Sequence, residues 1–150
     1  MKAERLYHYL ESGLPNVWLK NGFAIHKTKY GEGVSIVDVE GLHRVIADRL
    51  AKDKPKLTGC EFRFLRKELG LSQASLAKLW GYDAQSIAGW EKRGRVPLIA
   101  DRFIRVYYRE VREGNAHIAD TIDRLNDLDI REEDRLLLQE TKQGWQALAA

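Results

Sequence analysis

The chain has 150 residues, 44% of them hydrophobic and 31% charged, with a single cysteine, a size and composition that fit one soluble domain or a small core domain with appendages. Cys60 alone excludes an internal disulfide and a cysteine-rich zinc site. The opening MKAERLYHYLESG lacks the apolar run of a signal peptide, and no stretch approaches the ~20 apolar residues of a membrane span, so the expected setting is the reducing cytoplasm, away from a membrane.

The net charge of +3 is unevenly spread. Residues 1–50 hold 7 Lys/Arg against 6 Asp/Glu, residues 51–113 hold 14 against 8, and residues 114–150 hold 4 against 8. The central segment is therefore +6 and the tail −4. A concentrated positive charge suits a polyanionic partner, although a solvated basic face has the same composition.

In chain order, the pattern from Tyr7 to Val37 favours strands. In NVWLKNGFAIHK, Asn21-Gly22 lies between apolar runs and reads as a hairpin turn, because both residues accept positive φ. KYGEGVSIVD supplies a second glycine-rich turn and a β-branched run. From Val39 to Lys52, Leu42, Val45, Ile46 and Leu50 recur at helical spacing. Val17, Trp18, Phe23, Val34 and Ile36 are expected to pack on the face carrying Leu42 and Ile46. This unit, residues 1–54, closes in the charged linker AKDKPK.

Residues 55–113 read as helices throughout. Thr58-Gly59-Cys60-Glu61 has the spacing of a capping box opening the helix GCEFRFLRKEL, which Gly70 stops. Ser72 is the next N-cap, with a helix from Gln73 to Trp80. Asp83 caps a third helix to about Lys92, and a longer one follows from Leu98 to Val111. The tail, residues 114–150, reads as two short helices, one carrying Ile118, Ile122 and Leu125, the other from Asp129 to Leu138. The expected fold class is α+β: a β-hairpin and helix unit, an all-α domain, and an acidic helical tail.

The stretch SQASLAKLWGYDAQSIAGWEK breaks a good helix after two turns and restarts it three residues later. A helix-turn-helix requires that arrangement. The crossing point needs a small residue, supplied by Ala77, and the turn needs one tolerant of the left-handed region, supplied by Gly81. Leu76, Trp80, Ile87 and Trp90 are spaced to close a shared core, leaving Ala84, Gln85, Ala88 and Gly89 facing outward.

FLRKELGLSQASLAKLWGYDAQSIAGWEK resembles the Xre/Cro-type helix-turn-helix of phage repressors and bacterial antitoxins. The lead-in LTGCEFRFLRKELGLSQ is most similar to regulators of the MqsA antitoxin type, and SGLPNVWLKNGF and YGEGVSIVDVEGLH resemble the N-terminal part of zinc-less relatives. The resemblance implies phosphate contacts from Ser72, Gln73 and Ser75 and base reading from Ala84, Gln85, Ser86 and Gly89. It further implies backbone contacts from Lys92, Arg93 and Arg95, with Trp90 and Glu91 structural. The paired zinc-binding cysteines of the MqsA type are missing, so no metal or other cofactor is expected. Gly89 stands where a long polar side chain is usual.

The remaining candidates carry little chemistry. His8, His26, His43 and His117 show no ligand spacing, and Cys60 is expected to pack rather than react. Arg63, Arg66 and Lys67 fit either phosphate contacts or a solvated helix face. Trp18 and Trp145 are candidates for a partner surface. With no paired carboxylates, phosphate loop or nucleophile grouping, an enzyme is not expected. The expectation is a homodimeric repressor binding a palindromic site on double-stranded DNA, chiefly through Gln85. The alternatives are an antitoxin that also neutralises a cognate toxin, and a protein-interaction module on the same scaffold.

Overall fold

A computed structural model describes residues 5–114, 118 and 138–147. Its architecture is α+β, with short strands followed by five helices. β1 (Tyr7–His8) pairs antiparallel with β2 (Trp18–Leu19) across a 3-10 turn at Leu10–Ser12. β3 (Phe23–Thr28) and β4 (Gly31–Ile36) form a separate antiparallel hairpin, in register from Phe23 opposite Ile36 to Thr28 opposite Gly31.

The hairpin turn is therefore Lys29-Tyr30, and the expected Asn21-Gly22 turn is corrected. β2 is only two residues long and its partner is β1, so no strand before Asn21 is left to pair with β3. Gly22 uses its positive φ of 78° in the link between β2 and β3, and its carbonyl accepts the Val37 N–H at 2.8 Å, closing the open end of the hairpin. The packing expected of Trp18 is corrected as well. Its ring is 55% exposed and stacks on His8 at 3.9 Å rather than entering the core. Phe23 leans on Tyr7, while Val17 and Ile46 do reach the core.

The helices follow their caps. Asp38 opens α1 (Val39–Asp53), its carboxylate accepting the Gly41 N–H at 3.1 Å. Both halves of the capping box at α2 (Gly59–Glu68) form: Glu61 N–H donates to the Thr58 hydroxyl at 3.2 Å, and Thr58 N–H to the Glu61 carboxylate at 2.8 Å. Ser72 caps α3 (Gln73–Trp80), and Asp83 caps α4 (Ala84–Arg93). α5 (Leu98–Arg112) follows Pro97, whose missing N–H costs nothing at a helix start.

One apolar core takes residues from both sides of the linker at position 54. Leu14, Ala47, Leu50 and Ala51 join Phe62, Leu65, Leu76, Ile87, Ile104 and Tyr108. The linker itself is strapped to α5. Asp101, fully buried, accepts the Leu57 N–H at 2.6 Å and pairs with Arg105 at 3.0 Å and Arg102 at 2.8 Å. Those arginines reach on to the carbonyls of Lys54 and Pro55. A buried carboxylate is tolerated only when paired in this way.

At the other end, β5 (Leu138–Thr141) pairs antiparallel with β6 (Gly144–Ala147). The expected all-helical tail is corrected there: Leu138 starts a strand instead of ending a helix. The rest of that expected helix, and the one around Ile118, Ile122 and Leu125, lie outside the described residues apart from Ile118.

Candidate nucleic-acid interface

α3 and α4 form a short helix pair around Leu76 and Ile87, both fully buried, with Ala77 at the crossing 3% exposed. Gly81 takes φ 74°, and the Tyr82 N–H reaches back to the Ala77 carbonyl at 2.8 Å, ending α3 in a left-handed cap before Asp83 starts α4. Trp80 and Trp90 both meet the buried Phe62 ring edge to face, at 6.1 and 5.9 Å. The break at Gly81 therefore serves the function its sequence suggested: it turns the chain so that two short helices share one core.

A buried ion pair fixes α4 to the preceding helices. Arg66 Nε and Nη2 donate to the two Glu91 carboxylate oxygens at 2.8 and 2.9 Å, and Nη1 donates to the Leu71 carbonyl at 2.8 Å. Gln73 Nε2 donates to the same carboxylate at 3.2 Å. Arg66 is 6% exposed and Glu91 9%, so Arg66 is not a surface cation, and the phosphate role considered for it is withdrawn. Glu91 is the structural residue the resemblance implied. Arg63 and Lys67, by contrast, face solvent.

The outward face of α4 and the turn just after it gather five of the ten predicted contact residues. Gln85, Ser86, Gly89, Arg93 and Arg95, together with Trp90, line one shallow concavity of about 670 Å³. Gln85, Ser86, Arg93 and Arg95 are exposed and Gly89 half-buried, while Lys92 is exposed outside the concavity. Ser72 and Ser75 are exposed at the start of α3, joined hydroxyl to hydroxyl at 2.8 Å. Two residues depart from expectation. Ala84, the first residue of α4, is half-buried and packs on the core rather than facing outward. Gln73 spends its amide on Glu91, so that group is turned to the fold instead of to a phosphate.

Exposed guanidiniums beside an exposed amide can bind a phosphate chain and read hydrogen-bonding edges between phosphates. Other candidates separate from this face. Cys60 is exposed rather than packed, in a depression of about 220 Å³ with Arg63 and Lys67. His8 contacts the Pro15 carbonyl and His26 the Ser35 hydroxyl, while His43 bridges Tyr9 and Glu68 at 2.8 and 3.2 Å. His117 lies outside the described residues. Among the described residues no group of three or more His, Cys, Asp or Glu side chains is disposed to hold a metal, and no helix is long and apolar enough to cross a membrane.

Sequence reasoning missed the Asp101 clamp and the Arg66–Glu91–Gln73 network. Beyond the structural role the resemblance implied for Glu91, the signal was charged residues at apolar-periodic positions, which a helix normally turns to solvent. No family model, no curated protein and no solved structure matches the chain.

Proposed function

We propose that this chain is a sequence-specific DNA-binding regulator, a repressor of the Xre/Cro helix-turn-helix type, acting as a homodimer on a palindromic site. The observation that carries the reading is the single concavity formed by Gln85, Ser86, Gly89 and Arg93 of α4 with Arg95 just past its end, on a helix tied to α2 by the buried Arg66–Glu91 pair. α4 enters the major groove, Gln85 reads a base edge, and Arg93, Arg95 and Lys92 hold phosphates together with Ser72 and Ser75 at the start of α3. A lone helix of ten residues reads few bases, so two protomers combine across a two-fold axis. Exposed Leu98 and Ile99 on α5, beside an apolar depression of about 360 Å³ lined by Leu79, Trp80, Tyr82 and Phe103, support a protein contact there.

The test starts by selecting duplexes from a random pool with the purified chain, then titrates selected and scrambled duplexes at several salt concentrations. Gln85→Ala is expected to cost ~1–3 kcal/mol per half-site on the selected duplex and little on the scrambled one. Arg93→Ala or Arg95→Ala is expected to weaken both and to lower the salt slope by about one unit. Failure to enrich any sequence would refute sequence-specific reading. Sedimentation showing one protomer per bound duplex would refute the dimer.

A further inference from the structure

The β3–β4 hairpin does little for the core. Its ladder of six pairs makes a ribbon ~20 Å long. Only Phe23, Ile25, Val34 and Ile36 at its open end are half-buried, and every residue from 26 to 33 is exposed. The turn is held by Thr28, whose hydroxyl donates to the Gly31 carbonyl at 2.7 Å and accepts the Tyr30 N–H at 3.3 Å. The side chains of Lys29 and Tyr30 therefore have no part in making the turn. Tyr30 is 96% exposed, and among the described residues no ion pair or side-chain hydrogen bond engages Lys27 or Lys29.

Lysines alone on a ribbon serve to keep its edges from pairing with other chains. An aromatic ring at the tip, almost wholly in water, works against that purpose and calls for another explanation. The base of the ribbon gives its location. It runs through Val37 and Asp38 into Val39, which shares a cleft of about 430 Å³ with Glu68 and Leu69 at the end of α2. Ser72, the cap of α3, follows Leu69 by three residues. The ribbon thus springs from the end of the fold at which α3 begins.

We propose that this hairpin is a second DNA-contacting element, with Lys27, Lys29 and Tyr30 at its tip engaging the sugar-phosphate backbone beside the half-site read by α4. The proposal rests on the DNA-binding reading above. Two ammonium groups complement phosphate charge, and a tyrosine offers a hydroxyl to a phosphate oxygen and a ring face to the sugar. A two-stranded ribbon is narrow enough to follow a groove.

The chain carries its own control. Thr141-Lys142-Gln143-Gly144 repeats the turn of Thr28-Lys29-Tyr30-Gly31, with Thr141 donating to the Gly144 carbonyl at 2.8 Å and accepting the Gln143 N–H at 3.2 Å. Lys142→Ala therefore removes a lysine from an equivalent turn elsewhere in the chain. The experiment compares wild type, Lys27→Ala/Lys29→Ala, Tyr30→Ala and Lys142→Ala on a random-sequence duplex of about 30 base pairs and on a selected one. Thermal melts of each variant establish that the fold is intact. The double variant is expected to lower the salt slope by about two units, so its deficit against wild type shrinks about tenfold between ~50 and ~200 mM salt. Tyr30→Ala is expected to lose hydroxyl-radical protection flanking the half-site, and Lys142→Ala to match wild type. If wild type binds and the double variant keeps its slope, or if Lys142→Ala lowers the slope as much per lysine, the hairpin's role is overturned while the DNA-binding reading stands. A wild-type chain that binds no duplex at low salt overturns both.

Discussion

The buried pair of Arg66 and Glu91 gives the sharpest test of how α4 is held. Glu91→Ala removes the acceptor of two charge-assisted hydrogen bonds at 2.8 and 2.9 Å and leaves a guanidinium that is 6% exposed without its counter-charge. Breaking one side of such a pair costs about 3–5 kcal/mol, most of it the desolvation of the stranded charge. For a chain of this length that corresponds to a fall of roughly 6–20 °C in Tm. Arg66→Met/Glu91→Leu keeps the volume and strands no charge. Its residual cost is the Leu71 carbonyl and the Gln73 amide, each half-exposed and within reach of water, roughly 1–2 kcal/mol together. The double variant is therefore expected to be more stable than Glu91→Ala. Urea unfolding followed by the fluorescence of Trp80 and Trp90 measures this without the screening that guanidinium salts impose. A loss below about 1 kcal/mol for Glu91→Ala, or a double variant less stable than it, would refute the account of α4 as pinned by a desolvated charge pair.

Gly89→Ala is expected to stabilise the chain by about 1 kcal/mol, because an added Cβ would meet no atom within 4 Å in a helix interior. DNA affinity should fall at the same time if the backbone approaches the duplex there, and a variant improved in both titrations would remove Gly89 from the interface. The phenol of Tyr7 is pushed up to about 12, first by its hydrogen bond to Glu11, while the same bond lowers the Glu11 carboxyl. Tyr7's contribution is present below its unfolded value of ~10 and lost as pH rises through about 12, whereas that of Glu11 is lost as pH falls through its lowered value. Glu11→Gln should return the Tyr7 ring titration toward ~10 by NMR, and an unchanged value would rule out Glu11 as the cause.

The helical part of the fold was legible because its start and stop signals are local. Thr58, Ser72 and Asp83 cap α2, α3 and α4 with side chains that reach only two or three residues along the chain, and Gly81 ends α3 where the spacing required. Strand pairing is not local. Asn21-Gly22 has the chemistry of a hairpin turn, yet which strands meet depends on how long each is, and β2 is too short to use it. The β5–β6 hairpin was legible and missed, since TKQG repeats the TKYG of the first hairpin. At the candidate site, the exposed residues of α4 follow from helical period. Arg66 and Gln73 do not, because a polar residue at a half-apolar position is resolved only by its partner, and Glu91 lies 25 and 18 residues away.

Gly59 shows what a local motif conceals. In sequence it is filler inside the Thr58–Glu61 capping box, a position that tolerates most residues. In the fold it is the point where α2 presses on the last turn of α4: a Cβ there would stand 2.4 Å from the Glu91 carbonyl oxygen and 2.6 Å from that of Trp90. Both obstacles are backbone, so neither can rotate aside, and the two helices would have to separate. Alanine gains at most about 1 kcal/mol over glycine from helix propensity, and less at Gly59, the first residue of α2, whereas overpacking of this kind costs about 1–3 kcal/mol or more. Gly59→Ala should therefore destabilise the chain. It should also weaken DNA binding, because the helix displaced carries Gln85 and Arg93 and holds the Glu91 carboxylate at Arg66. The comparison with Gly89→Ala is internal: the same substitution, in two helices of the same core, with opposite signs in urea unfolding. A Gly59→Ala variant as stable as wild type would mean that α2 and α4 are not in the close contact from which the fixed position of α4 is argued.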